Sequence, residues 1–439
     1  MVSNCVAAVL MLVPAALGAG PSYFRDVRPI VQRQCQGCHQ PNLKSSNLDL
    51  TSFEGFQAGG KHGPGASTLV GYITGESKPQ MPLGQPPLPS DQIELIRTWI
   101  AAGAKDDTPA EAREADKPIV YLQPPVINAV AFSPDGKKLA VSGNREILIH
   151  ELDGAEPPQR LPGLSDRILS LVFSKDGSLL VAAGGTASLF GEVQIWDVAA
   201  GKLKRSLTLT GDTVFGASIS PDASRIAVGC TDNSVRILNA SSAKELFKIG
   251  NHENWVLGTI FGVDGKRIVS VGRDRAAKLT DATSGAFLEN VNLLRGELAA
   301  IARHPGKDIV VIGGEDRVPY IYKMDRAQNM KIADDSTLIR KLDRQAGSIA
   351  ALAWSEDGAH IAVGGASPEV TIFDAESGKQ TAACKGHRAG IYAIAFSPDG
   401  QTLATGGFDG EVRLYRVGTG EIVKEFIPVP ITENLRSQK

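Results

Sequence analysis

Ser397-Pro398-Asp399-Gly400 is a turn written in four letters, and it stands between two stretches that read as strands, Ile391-Tyr392-Ala393-Ile394-Ala395-Phe396 and Thr402-Leu403-Ala404-Thr405. Proline sets the first turn angle, aspartate bonds its own backbone, and glycine takes the left-handed position. The same device recurs as Ser133-Pro134-Asp135-Gly136, Ser174-Lys175-Asp176-Gly177, Ser220-Pro221-Asp222-Ala223, Gly262-Val263-Asp264-Gly265, the weaker His304-Pro305-Gly306, and Ser355-Glu356-Asp357-Gly358. Each copy follows an alternating apolar strand and precedes a second strand ending in small residues, a polar turn and a third strand. The aligned aspartates recur at the roughly 40 to 45 residues of a four-stranded propeller blade. Seven units predict a seven-bladed, all-β ring over residues 118–430, with a tail at 431–439.

These units resemble WD40 repeats. Trp196-Asp197 is the named dipeptide, Gly386-His387 is a Gly-His start, and Asp409-Gly410, Asp232-Asn233 and Asp274-Arg275 occupy the tight second turn. Elsewhere the pattern is degenerate: Asn251-His252 replaces Gly-His, and third strands end as Phe373-Asp374 or Tyr415-Arg416. The buried His–Asp network that the resemblance implies is therefore expected to be incomplete in several blades. Two units carry extra residues, at 186–190 and 326–336, on connections that lie on opposite faces of such a ring. Loop growth of this kind costs little.

Upstream of the repeats stands Cys35-Gln36-Gly37-Cys38-His39, the Cys-x-x-Cys-His pattern of covalent c-type haem attachment. Two thiols on one turn can add to adjacent vinyl groups, and His39 can swing beneath the iron as proximal ligand. A redox Cys-x-x-Cys would need a thioredoxin-like βαβ setting that the flanks lack. A zinc site would need about four ligands, and no second Cys/His cluster is near in sequence. Residues 78–89 hold five prolines around one thioether, Met81, and a stiff loop of this sort suits a distal ligand. The plainer role for Met81 is to fill a core gap, and His62 in a Gly-rich loop is the rival distal ligand. The expectation is one covalent haem c, with Cys35 and Cys38 as anchors and His39 and Met81 on the iron.

Around the motif, Asp26 is placed to cap a helix with Pro29 in its first turn and Val27, Ile30 and Val31 on one face. Residues 42–65 read as loop. A second helix starts at Ser90, runs a stripe of Ile93, Ile96, Trp99 and Ile100, and ends at Gly103. Phe24-Arg25-Asp26-Val27-Arg28-Pro29-Ile30 before CQGCH, then Gln80-Met81-Pro82, then IRTWIAAG at 96–103, resemble the planctomycete-type cytochrome c domain. That resemblance implies a small all-α, class-I-like cytochrome c domain over residues 21–105. A charged, Ala-rich, proline-bracketed linker follows at 106–117.

Residues 1–20 have an apolar core, a proline break and small residues near their end, the shape of a cleaved export signal. They are too short for a membrane span, so the mature chain is expected to have none and to reside in the periplasm or an equivalent extracytoplasmic compartment. A formal net charge of −2 over 439 residues, without basic blocks, offers no footprint for nucleic acid. His150, His252, His304, His360 and His387 lack metal-ligand spacing, and Cys230 and Cys384, in repeats three and seven, are expected to be separate buried thiols. No catalytic triad or phosphate-binding glycine motif stands out. The functional expectation is an exported c-type cytochrome that transfers single electrons to redox partner proteins, uses its propeller as a docking platform and turns over no substrate of its own. The alternative is a haem-coupled oxidoreductase with its active site on the propeller.

Overall fold

The computed structural model describes residues 20–43, 45–109, 119–154, 156–324 and 332–432. The expected leader up to residue 19, most of the linker, part of the 326–336 insertion and the tail from 433 lie outside the described residues.

Seven sheets, each of four antiparallel strands in chain order, make up the chain from Val130 to Phe426. Their innermost strands are Val130–Phe132, Arg167–Phe173, Val214–Ile219, Val256–Phe261, Leu298–Arg303, Ile349–Trp354 and Ile391–Phe396. Each contacts the next, and the last contacts the first, so the sheets form a closed seven-bladed ring. Second strands such as Lys138–Ser142 and Arg225–Cys230 are buried almost throughout, since neighbouring blades cover both faces of each sheet, and a strand covered twice reads as a continuous apolar run. The core accordingly lies between blades. Ile147, Ile149 and Leu161 of the first pack with Leu171, Leu180 and Trp196 of the second. Outermost strands such as Ile422–Phe426 are exposed and carry Lys424 and Glu425, charges that discourage edge-to-edge pairing.

The predicted turns fall at the first hairpin of each blade. In five of them the serine hydroxyl donates to the aspartate at 2.5 Å: Ser133 to Asp135, Ser174 to Asp176, Ser220 to Asp222, Ser355 to Asp357 and Ser397 to Asp399. In the weak fifth copy the Gly306 N–H donates to His304 Nδ1 instead, at 3.1 Å. The extra residues of the second blade lengthen its hairpin, with Thr186 opposite Phe190. Cys230 and Cys384 are buried and unpaired. Cys384, however, belongs to the outer strand of the sixth sheet, Gln380–Cys384, and not to the seventh repeat, because a blade closes with its fourth strand before the next Gly-His start.

The first and last blades are each complete, and among the described residues no strand is exchanged between them. The seam is held by a parallel bridge between Tyr121 and Ile431, by His150 Nε2 donating to the Pro428 carbonyl at 3.0 Å, and by the interblade core of Ile127, Val130, Ala393 and Val412.

Among its described residues the N-terminal part holds four short α-helices, α1 (Arg28–Gln34), α2 (Phe53–Ala58), α3 (Gly65–Thr74) and α4 (Ser90–Ala101). Val27, Ile30 and Val31 are buried with Phe56, Leu69, Ile73, Ile96 and Trp99, and Trp99 stacks on Tyr23 at 5.4 Å. Three expectations change here. Asp26 does not cap α1, which is entered from a π-helical turn, Tyr23–Val27, capped by Ser22: the Ser22 hydroxyl accepts from the Arg25 N–H at 2.9 Å while Asp26 accepts from the Ser22 N–H at 2.7 Å. The 42–65 stretch is not all loop, since α2 forms within it under a Ser52 cap. The next helix, α3, follows directly and was absent from the sequence reading. No helix among the described residues is long and apolar enough to cross a membrane.

Candidate ligand pocket and propeller networks

Cys35, Cys38, His39 and Met81 line one cavity of about 250 Å³, far larger than the packing defects of a protein core. Cys35 closes α1, and its amide donates to the Val31 carbonyl at 2.9 Å. The chain then turns tightly, with the His39 N–H returning to the Cys35 carbonyl at 3.1 Å, so both sulfurs and the imidazole project from one turn. Nδ1 of His39 lies 3.0 Å from the Ser45 carbonyl. A carbonyl only accepts, so Nδ1 carries the proton and Nε2 the lone pair. Burial lowers the His39 pKa, an effect partly offset by hydrogen bonds to the Ser45 and Leu48 carbonyls, which keeps the ring neutral at neutral pH.

Burial, and then the neighbouring Cys38, push the Cys35 thiol up to about 12. Cys38 is also raised by burial, against the pull of Arg205. Neither is the low-pKa thiolate of a disulfide oxidoreductase. Met81 reaches the cavity from the proline loop, where its N–H donates to the Tyr72 carbonyl at 2.9 Å. His62 lines the same cavity, its ring 5.5 Å from that of Tyr72. All four expected site residues and the rival histidine are therefore brought together. The sequence reading missed the wall opposite, which is built from Arg205 to Thr208 on the outer strand of the second blade and from Ser242 and Ala243 of the third. Nothing local to those residues marks them as lining.

The propeller has its own buried polar centres. In the fourth blade His252 Nδ1 meets Asp274 at 2.9 Å and Nε2 meets Ser270 Oγ at 2.7 Å, with Lys278 Nζ at 3.3 Å from the same carboxylate. The seventh repeats this with His387, Asp409 at 3.0 Å, Thr405 at 2.7 Å and Arg413 at 3.1 Å. Other blades substitute: Glu192 of the second accepts from Ser165, Gln194 and Ser206 at 2.7, 2.6 and 2.6 Å, and Glu146 of the first accepts from Tyr121 at 2.9 Å and Arg160 at 2.6 Å. Among the described residues the His–Asp network is thus formed in the fourth and seventh blades and replaced by a glutamate centre in the first and second.

Burial raises the Asp274 carboxyl, but hydrogen bonds from His252 and the Glu253 N–H and the charge of Lys278 more than offset this, bringing it down to about 2. Its stabilising contribution is then complete above the ordinary aspartate pKa of about 3.9 and is lost as pH falls toward 2, because the unfolded chain takes up the proton first. Urea midpoints measured from pH 5 to 2.5 are expected to drop across that window, and less steeply in Asp274→Asn. Equal slopes in the two proteins would rule this carboxylate out.

Comparison with known proteins falls on the ring. The profile described as WD domain, G-beta repeat matches residues 120–151, 201–239 and 378–416, and that of the anaphase-promoting complex subunit 4 WD40 domain matches 301–396. The chain is 29% identical over 202 residues to transcription factor unc-37 of Caenorhabditis elegans, covering 45% of this chain and 31% of that protein. It is 24% identical over 205 residues to protein groucho of Drosophila melanogaster, covering 46% and 27%, and 22% identical over 213 residues to autophagy-related protein 16 of Arabidopsis thaliana, covering 47% and 41%. The chain spans less than half the length of each of these relatives.

These findings overturn the expected function. The relatives are WD-repeat proteins whose names carry no cytochrome, both profiles lie within the propeller, and among the described residues no group of three or more His, Cys, Asp or Glu could hold a metal ion. The reading of the chain as a one-electron-transfer cytochrome, and its alternative as a haem-coupled oxidoreductase, are therefore withdrawn, and what the comparisons carry is the repeats. The Cys35 to His39 motif occupies a small part of the chain, and the repeats the larger part. The chain carries WD40 repeats, folded as a seven-bladed β-propeller.

Proposed function

We propose that this protein is a scaffold that binds other proteins through the loop faces of its propeller. The observation that carries the reading is the closed ring itself, whose repeats are the part shared with the WD-repeat relatives. Such a ring presents two broad loop faces without needing a cofactor. On one of them Phe408, at the tight turn after the second strand of the seventh blade, is 62% exposed, and Tyr392 at the start of that blade is 39% exposed. Large exposed aromatics of this kind anchor interfaces. The test is capture by the full-length chain. A partner retained by the wild type in moderate salt is expected to be lost from Phe408→Glu while the melting temperature holds. Retention by Phe408→Glu, by Tyr392→Glu and by an equivalent variant of the opposite face would overturn the scaffold reading.

Apart from that role, we propose that the N-terminal pocket is a prosthetic-group site fitted to haem c, held by Cys35 and Cys38 through thioethers and by His39 and Met81 on the iron. What supports this is the meeting of those four side chains in one apolar cavity, with a neutral imidazole whose Nε2 carries the lone pair. His39 and Met81 would hold the iron that such a group supplies, and in doing so would join the Cys35 turn to the proline loop. The shape of residues 1–20 supports export as the route to the compartment in which such a group is attached.

A further inference from the structure

The cavity has walls from both halves of the chain. Gly37 lies so close to the outer strand of the second blade that a Cβ added to it would meet the Ser206 carbonyl oxygen at 2.8 Å, and Asn42 donates to the Pro162 carbonyl of the first blade at 2.6 Å. The turn is thus seated on the propeller without a gap. The charge of the lining is of one sign. Arg33, Lys61 and Arg205 belong to it, and among the described residues no aspartate or glutamate does. Arg33 Nε donates to the Pro29 carbonyl at 3.1 Å and Arg205 Nη1 to the Lys204 carbonyl at 2.7 Å, and among the described residues neither they nor Lys61 meet a carboxylate. Deeper in, the walls are apolar, with Leu50, Phe56, Leu69 and Ile73. A cavity with an apolar floor and an unpaired cationic rim suits a rigid apolar body that ends in carboxylates.

We propose that this is a composite site, completed only by the propeller, in which Arg205 of the second blade, together with Arg33 of α1, receives the carboxylate end of the ligand. The identity of that ligand rests on the haem c reading above, since a haem is a flat apolar body with two propionates. The placement of Arg205 does not. The guanidinium fork suits a carboxylate bidentately, and Arg205 lines the same cavity as Cys38 and His39.

The full-length chain, produced in a host competent for covalent haem attachment, tests both statements separately. Haem staining after denaturing electrophoresis reports the haem c reading. In a haem-bearing wild type, a titration of the ferric absorption spectrum gives the propionate ionisation, and Arg205→Gln is expected to raise its midpoint by about one pH unit, tenfold in the acid constant, with Arg205→Lys restoring most of the shift. If the wild type carries no haem, the probe is 8-anilinonaphthalene-1-sulfonate, an apolar body with one anionic group. Its fluorescence titration is expected to be about tenfold weaker for Arg205→Gln and rescued by Arg205→Lys. Staining with an unmoved midpoint ends the composite-site inference and leaves the haem reading. Absent staining with probe binding sensitive to Arg205 ends the haem reading and leaves the composite site. Absent staining with equal probe binding ends both.

Discussion

Asp409→Ala is expected to cost the propeller about 3 kcal/mol, the order found when one member of a buried ion pair is removed. The carboxylate is 4% exposed, and it takes hydrogen bonds from His387 at 3.0 Å, from the Arg388 N–H at 3.1 Å and from Arg413 at 3.1 Å. Arg413 would keep Glu411 and, at 3.2 Å, Glu425, but the His387 ring, 1% exposed, would lose the carboxylate that faces its Nδ1, and a buried polar group stripped of its partner carries a desolvation penalty. Asp409→Asn keeps an acceptor without the charge and is expected to lose about half as much. Urea unfolding of the two variants beside the wild type decides it. Losses below about 0.5 kcal/mol in both would mean that the seventh blade does not depend on this centre.

The second large effect belongs to a row of glycines at the ends of second strands. A Cβ on Gly365 would lie 1.9 Å from the Ser348 carbonyl oxygen, one on Gly314 1.9 Å from that of Glu297, and one on Gly407 2.2 Å from that of Gly390. Each faces backbone at the point where the register of the innermost strand shifts by a bulge, and backbone cannot step aside as a side-chain tip can. Gly365→Ala is therefore expected to destabilise by about 3 kcal/mol, the upper end for overpacking. Gly418→Ala, with nothing within 4 Å of the added carbon, should stay within about 0.5 kcal/mol. Thermal melts of the pair make the comparison. A Gly365→Ala protein that melts with the wild type would show that the innermost strand can shift to make room.

The propeller was legible because its signal is local and repeated: a serine and an aspartate two residues apart close the same turn whatever the rest of the blade does. Helices α1 and α4 were legible from their apolar spacing. Helix α3 was not, since Gly65, Gly71 and Thr74 weaken its propensity and it is held by burying Leu69 and Ile73 in the helical core. Cys35, Cys38, His39 and Met81 could be picked out because a motif and a proline-rich loop announce them. Arg205 could not, because on an outer strand it reads as one more solvated edge charge, and only the seating of Gly37 against Ser206 turns it toward a cavity. The functional error had the same root. The haem motif is sharp but short, and the repeats, degenerate one by one, account for far more of the chain.

The join between the first and seventh blades bears on how the ring would fail. Many rings could be latched by lending a strand from one end of the chain to the sheet at the other, so that pulling the ends apart must tear a sheet. Here, among the described residues, each plate is whole, and the latch is made of small pieces: a bridge at Tyr121 and Ile431, His150 on the Pro428 carbonyl, Lys424 on the Leu152 carbonyl, the Ile127 N–H on the Gly407 carbonyl and an apolar contact. Under tension applied at its two ends, such a ring is expected to behave as a bracelet with a simple clasp: the clasp parts before the links, and the circle opens into an arc.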